Sequence, residues 1–125
     1  MAKILIAEDD ATMRKILSNK FENANYNVVV ASDGKEALDL AFEKKPEVIL
    51  LDIFMPKMNG WEVMENLRKD GAYGRHVKII VFTNSDADND DDLEKIERFK
   101  PTFFIRKIDF SLEALVEKVE EVLNS

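Results

Sequence analysis

Five short runs of mostly apolar residues, rich in β-branched side chains, alternate along the chain with segments that repeat apolar residues at helical spacing. The runs occupy residues 4–7, 28–31, 48–51, 77–82 and 102–105. Because successive side chains of a strand point to opposite faces, a run that is apolar at nearly every position predicts a strand buried on both faces. Such strands are typical of parallel sheets covered by helices. The alternation therefore predicts an α/β fold.

The remaining segments have the apolar spacing of amphipathic helices. Five helices are predicted, at residues 13–21, 37–42, 61–67, 93–96 and 112–123, and Ser111 is the candidate N-cap of the last one. The glycine-rich stretch 71–75 predicts a loop. Five strands, each followed by a helix, predict a (βα)5 doubly wound five-stranded parallel sheet with helices on both faces. We expect one domain over residues 1–125, because no linker, repeat or low-complexity tract divides the chain.

Composition and charge exclude several classes of function. The 125 residues include 25 acidic and 18 basic side chains, for a net charge of −7, and basic residues do not cluster, which argues against a nucleic-acid surface. The chain has no cysteine and a single histidine, so thiolate and multi-histidine metal sites are excluded. No apolar run approaches the ~20 residues that span a bilayer, and the first residues lack a signal-peptide pattern. We expect a cytoplasmic domain that binds neither nucleic acid nor a membrane.

Polar residues follow four of the predicted strands. Glu8 and Asp9 follow the first, Asp52 the third, Thr83 the fourth, and Lys107 lies just after the fifth. Because ligands of open parallel sheets bind outside the carboxyl ends of the strands, we expect these side chains to form one site. Clustered carboxylates repel one another unless a cation neutralises them, and oxygen ligands suit Mg²⁺. A carboxylate beside Mg²⁺ and a lysine is suited to attack phosphorus, so the pattern predicts phosphoryl chemistry.

Four segments follow one another in a recognisable order: ILIAEDD at residues 4–10, LLDIFMPKMNG at 50–60, VFT at 81–83 and IRK at 105–107. In this order and spacing they resemble the receiver domain of response regulators in two-component signalling. The stretch from Asp52 to Gly60 is the most specific part, because a Met-Pro-x-Met-x-Gly loop after an apolar strand and an aspartate is seldom found elsewhere. The resemblance covers the whole chain and implies a flavodoxin-like sheet with strand order 2-1-3-4-5.

The resemblance implies a role for each acidic residue. Asp52 is the expected phosphoacceptor, which takes a phosphoryl group from the phosphohistidine of a sensor histidine kinase or a phosphorelay protein. Asp9 is the expected direct ligand of Mg²⁺, for which Mn²⁺ can substitute, and Asp52 shares the ion. Glu8 is expected to act on the metal through water, and the backbone carbonyl of Phe54 to complete the metal site. No organic cofactor is implied.

The same resemblance implies a conformational switch rather than an enzyme. Thr83 and Lys107 are expected to bind phosphoryl oxygens, and Phe104 occupies the position of the family's switch aromatic. Phosphorylation is then expected to move Thr83, turn Phe104 inward and change the face formed by predicted helix four, strand five and helix five. This face is expected to bind a downstream protein, or to form a weak phosphorylation-dependent dimer of an otherwise monomeric chain.

Two other functions are considered beside the receiver. A pseudo-receiver would keep the fold as a protein-binding module without phosphorylation. A phosphohydrolase with an aspartyl-phosphate intermediate would need an acid/base carboxylate two residues after the nucleophile, where Phe54 stands. Phe54 and Ser85 together lead us to expect a long-lived acyl phosphate. We also expect the receiver to act alone, because the chain ends shortly after the last predicted helix.

The largest departure from the family pattern follows Lys107. The family usually continues Lys-Pro-Phe with a cis Lys–Pro bond, whereas this chain continues with Ile108 and Asp109. A cis bond without proline costs about 3 kcal/mol, so we expect a trans loop of altered shape. In that loop Asp109 is a candidate to pair with Lys107 and compete for it, and Arg106 is the alternative cation for the site.

Overall fold

A computed structural model of the chain describes residues 1–84 and 89–124, so Ser85 lies outside the described residues. The strands are β1 (Lys3–Ala7), β2 (Asn27–Ala31), β3 (Val48–Leu51), β4 (Lys78–Thr83) and β5 (Phe103–Arg106). They form one sheet in the order β2-β1-β3-β4-β5, and each neighbouring pair is parallel. The predicted α/β fold and strand order are confirmed.

Helices connect the strands across both faces of the sheet. They are α1 (Ala11–Asn23), α2 (Gly34–Lys44), α3 (Gly60–Arg68), α4 (Gly71–His76), α5 (Asp90–Phe99) and α6 (Leu112–Leu123), with a short 3₁₀ turn at Lys107–Asp109. Ser111 caps α6 as predicted, because its hydroxyl accepts a hydrogen bond from the Ala114 backbone N–H at 3.1 Å. None of the helices in the described residues has the length and hydropathy of a membrane span.

Helix α4 contradicts the loop predicted for residues 71–75. Gly74 packs so closely on α3 that a Cβ there would lie 1.9 Å from the carbonyl oxygen of Leu67. The Arg68 guanidinium donates hydrogen bonds to the carbonyls of Gly74 and Val77, and so ties the end of α3 to α4. Tertiary contacts therefore stabilise a helix that its glycines disfavour locally. The predicted (βα)5 plan has one additional helix, and predicted helices four and five are α5 and α6.

The sheet separates two apolar layers, because alternate residues of each strand face opposite sides. On one side Leu5, Ile49 and Ile79 pack with residues from α2 and α3. On the other side Ile4 and Leu50 pack with residues from α1 and α6. The central strands β1 and β3 are buried on both faces, as their continuous apolar runs predict. The sheet thereby brings the ends of β1, β3 and β4 to a single edge.

Candidate functional site

The residues that follow β1 and β3 lie side by side because the parallel ladder continues one step past each strand. The backbone N–H of Glu8 donates to the carbonyl of Ala31, and that of Asp52 donates to the carbonyl of Ala7, each at 3.1 Å. Thr83 is the last residue of the neighbouring strand β4 and is fully buried. The sheet therefore places the predicted residues at one edge.

Three carboxylates meet at this edge. One oxygen from each of Glu8, Asp9 and Asp52 can be chosen so that all three lie within 4.8 Å of one another. Glu8 is 2% exposed and Asp52 is 6% exposed, whereas Asp9 is open to solvent. The backbone N–H of Phe54 donates to Asp52 Oδ1 at 3.3 Å, and that of Asp10 donates to Glu8 Oε2 at 3.3 Å. The site thus concentrates negative charge in a pocket with one solvent-facing side.

Lys107 supplies the positive charge within this pocket. Its Nζ donates to Glu8 Oε1 at 2.6 Å and to Asp52 Oδ2 at 3.0 Å, and its side chain is only 13% exposed. Burial raises the pKa of Glu8, and the charge of Asp52 raises it further, while Lys107 opposes both effects. Burial lowers the pKa of Lys107, but the hydrogen bonds of its ammonium to Glu8 and Asp52 outweigh this effect. The pKa of Lys107 is therefore raised. The lysine and the carboxylates form one coupled network.

The loop that carries Lys107 has the trans geometry expected for it, since the described residues contain no cis peptide bond. The 3₁₀ turn leaves Ile108 highly exposed, while Lys107 points into the pocket. Asp109 pairs with Arg106, with 2.9 Å between Nε and Oδ2, and both side chains are exposed. The expected competition of Asp109 for Lys107 is therefore wrong in this structure. Within the described residues, Lys107 is the cation that contacts Glu8 and Asp52, and Arg106 pairs with Asp109.

Arg14 is a site residue that the sequence pattern did not indicate. Its Nη1 donates to the carbonyl of Glu8 at 2.8 Å and to the carbonyl of Asp9 at 3.3 Å. Side chains of a helix lean toward its N-terminus, so a cation in the first turns of α1 can reach back to the loop before the helix. The only sequence signal for this role was the presence of an arginine five residues after Asp9. Arg14 fixes the backbone that presents the two acidic residues.

Phe104 lies in β5 and contacts an aromatic residue of α3. Its ring stacks on that of Trp61, with 6.0 Å between the centroids and 17° between the planes. Lys95 of α5 lies 5.8 Å from the centre of the same indole ring and pairs with Asp91 at 2.9 Å. Phe104 is thus packed into a stack that joins β5 to α3 and α5.

The donor set fits a small, hard divalent cation such as Mg²⁺. All three acidic side chains offer oxygen, the ligand that Mg²⁺ prefers, and solvent-facing Asp9 leaves room for the waters that this ion retains. Glu8, Asp9 and Asp52 could hold such an ion. The expected contribution of the Phe54 carbonyl and the water-mediated role of Glu8 stay predictions. In this structure Glu8 bonds directly to Lys107.

Comparison with known proteins agrees with this geometry. Residues 4–120 match the response regulator receiver domain. The chain belongs to this family. Among curated relatives, the receiver is 32% identical over 121 residues to the Probable transcriptional regulator ycf27 of Porphyridium aerugineum, covering 97% of this chain and 48% of that protein. It is 36% identical over 88 residues to the alkaline phosphatase synthesis transcriptional regulatory protein PhoP of Bacillus subtilis, covering 70% and 35%.

Solved structures show the same fold over nearly the whole receiver. The chemotaxis protein CheY4 of Vibrio cholerae superposes with a TM-score of 0.86 at 28% identity, covering 98% of both chains. The N-terminal domain of an uncharacterized Wolinella succinogenes protein has a TM-score of 0.84 at 30% identity, covering 97% and 93%. In contrast, the receiver spans less than half the length of the curated relatives described above.

Proposed function

We propose that the receiver accepts a phosphoryl group on Asp52 from the phosphohistidine of a sensor histidine kinase or a phosphorelay protein. The observation that carries the proposal is the contact of 3.0 Å between Asp52 Oδ2 and Lys107 Nζ within the acidic cluster. In the reaction, an Asp52 oxygen attacks phosphorus as the P–N bond breaks, and the bonding pair remains on the imidazole nitrogen. The product is an acyl phosphate on the receiver.

The residues around Asp52 suit this transfer. The Phe54 N–H orients one carboxylate oxygen, and Lys107 attracts the incoming phosphoryl oxygens once it exchanges one of its present carboxylate partners. We propose that the hydroxyl of Thr83, at the end of β4, binds a second phosphoryl oxygen. Bound Mg²⁺, or Mn²⁺ in its place, would be held by Asp9, Asp52 and Glu8 and would neutralise charge on the phosphoryl group.

We propose that the receiver is a switch and not an enzyme with a separate substrate. The stack of Phe104 on Trp61, with Lys95 beside it, supports a coupled response of β5, α3 and α5. A new dianion on Asp52 would draw Thr83 toward it, and Phe104 in β5 would respond together with α5 and α6. The changed face of α5, β5 and α6 would bind a downstream protein or a second receiver. The cytoplasmic location and stand-alone action of the receiver stay predictions.

The placement of Lys107 supports a receiver over a pseudo-receiver. The pseudo-receiver alternative depended on the missing proline, yet the altered loop still brings Lys107 to 2.6 Å from Glu8. The phosphohydrolase alternative has no support at Phe54, whose apolar side chain is exposed beside the site.

Intact mass spectrometry after incubation with acetyl phosphate and Mg²⁺ tests the proposal. We expect one phosphoryl addition to the wild type, and none when EDTA is present. Asp52→Asn should gain none, whereas the control Asp39→Asn, which changes an exposed aspartate on α2, should gain one. A folded wild type that gains none, or an Asp52→Asn variant that gains one, would contradict the proposal.

A further inference from the structure

A large cleft lies at the edge of the sheet where the strands begin, opposite the carboxylates, and we call it the basal cleft. Its volume is about 750 Å³, within the range typical of small-molecule sites. The ends of α1 and α6, the connection before β3, and helix α4 with the start of β4 line it. Glu8, Asp52 and Lys107 are not among its lining residues. The basal cleft is therefore separate from the phosphoacceptor site.

Tyr26 presents an unused hydroxyl to this cleft. The residue is 7% exposed, and its ring packs edge-on against Phe21 with 5.4 Å between the centroids. Its hydroxyl makes no hydrogen bond to residues 1–84 or 89–124, although the structure leaves no fully buried side-chain oxygen unpaired in this part of the chain. The hydroxyl must therefore open to the cleft. Burial and the charge of Glu120 raise the pKa of Tyr26, so the hydroxyl remains a neutral donor.

The second tyrosine of the cleft differs in this respect. The hydroxyl of Tyr73 donates to the carbonyl of Pro46 at 2.7 Å, and the ammonium of Lys45 lies 5.2 Å from the centre of its ring. The cleft thus contains one tyrosine hydroxyl that is already bonded and one that is available. The bonded one provides a matched control for the other.

The charged side chains of the cleft cancel one another. Lys45 and Lys78 line the cleft together with Glu47 and Glu120, so two basic side chains are balanced by two acidic ones. Lys45 also donates to the carbonyl of Phe42, and Lys78 to that of Val122, at the last turns of α2 and α6. Each ammonium has three N–H donors, so donors remain for a ligand. A cleft whose lysines and glutamates balance, and which offers both donors and acceptors, favours neither an anion nor a cation.

Apolar surface completes the lining. Pro46, Val77 and Leu123 border the cleft beside the two tyrosine rings. Aromatic and apolar side chains of this kind pack well against an aromatic ring, while the Tyr26 hydroxyl and the Glu120 carboxylate offer a donor and an acceptor. We infer that the basal cleft binds an uncharged planar heteroaromatic ring that carries an acceptor beside a donor, the chemistry of a nucleobase. This inference does not depend on phosphorylation of Asp52.

Titration of the ¹⁵N-labelled chain with adenosine, followed by amide chemical shifts, tests the inference. We expect saturable shifts at amides of the cleft, including Val77 and Leu123, with a Kd of about 1 mM or below. Tyr26→Phe keeps the packed ring and should weaken binding about tenfold, because one hydrogen bond is lost. Tyr73→Phe removes a hydroxyl that is already bonded and should weaken binding by less than about threefold.

A parallel titration with AMP separates recognition of the ring from recognition of a phosphate. Because the charges of the cleft cancel, AMP should bind no more tightly than adenosine. Three results would overturn the inference. These are shifts absent from the cleft at about 5 mM adenosine, equal affinities for the wild type and Tyr26→Phe, and an AMP affinity more than about tenfold above that of adenosine.

Discussion

Replacement of Lys107 by methionine removes the only cation that the described structure places against both buried carboxylates. The substitution keeps most of the side-chain volume and deletes the contacts of 2.6 Å to Glu8 and 3.0 Å to Asp52. Without a divalent cation, the two carboxylates then repel each other with no compensating charge. We expect Lys107→Met to be clearly less stable than the wild type at pH 7.5 in EDTA.

The expected loss follows from the burial of the three groups. Removal of one partner from a buried ion pair costs ~3–5 kcal/mol. Glu8 can recover part of this cost by binding a proton, and Asp9 admits water to the pocket. We therefore expect a loss of about 2–3 kcal/mol, or a decrease of about 1–2 M in the urea midpoint. The exposed pair of Arg106 and Asp109 makes Arg106→Met the matched control, with an expected loss below ~1 kcal/mol.

The pH dependence has a defined sign. Folding raises the pKa of Glu8 above its ordinary 4.5, chiefly through burial, and loss of Lys107 removes an interaction that lowers it. A carboxyl group with a raised folded pKa stabilises the fold fully below its unfolded pKa, and this stabilisation is lost as pH rises through the folded pKa. The stability difference between Lys107→Met and the wild type should therefore shrink as pH falls from 7.5 toward 4.5.

Urea unfolding followed by circular dichroism measures these differences. Mg²⁺ should also reduce the difference, because it replaces the lost positive charge and binds only the folded state. An Lys107→Met variant as stable as the wild type at pH 7.5 in EDTA would refute the reasoning. A loss that is the same at both pH values and with Mg²⁺ would refute it as well.

Three further predictions concern the metal site, the stack of Phe104 on Trp61 and the lifetime of the acyl phosphate. Arg14→Ala should lower Mg²⁺ affinity by about tenfold, measured as reduced stabilisation by Mg²⁺ in urea, and equal affinities would contradict its positioning role. Phosphorylation should change the fluorescence of Trp61 through its stack with Phe104, and Phe104→Leu should abolish the change; an unaltered spectrum would exclude this coupling. The acyl phosphate should persist long enough for intact mass to follow its decay over many minutes, and complete loss within seconds would disprove the expected role of Phe54 and Ser85.

The sheet was predictable because each central strand is a run of consecutive apolar residues, which indicates burial on both faces. Val48–Leu51 is buried at every position, as a short apolar run between polar residues predicts for a strand in a covered parallel sheet. Placement of Glu8 and Asp52 followed from the same reasoning, since parallel strands bring their carboxyl ends together. Prediction succeeded where a local pattern alone determines position.

The missed features depend on contacts between distant segments. Helix α4 persists because Arg68 bonds the carbonyl of Gly74, a contact that helix propensity does not contain. The sequence did not determine which cation pairs with Asp109, because Arg106 and Lys107 both precede it closely. The turn of the loop decides: Arg106 pairs with Asp109, and Lys107 pairs with Glu8. The helix and the ion pairs both depend on tertiary contacts, which a sequence pattern does not determine.

The most direct test of the central claim identifies the residue that carries the phosphoryl group. Borohydride reduces an acyl phosphate of aspartate to homoserine, and peptide mass spectrometry then locates the converted residue. Treatment of the phosphorylated receiver should convert Asp52 and leave Asp9 unchanged. Conversion at another carboxylate, or no conversion in a chain that has gained a phosphoryl group, would contradict the assignment of Asp52 as the phosphoacceptor.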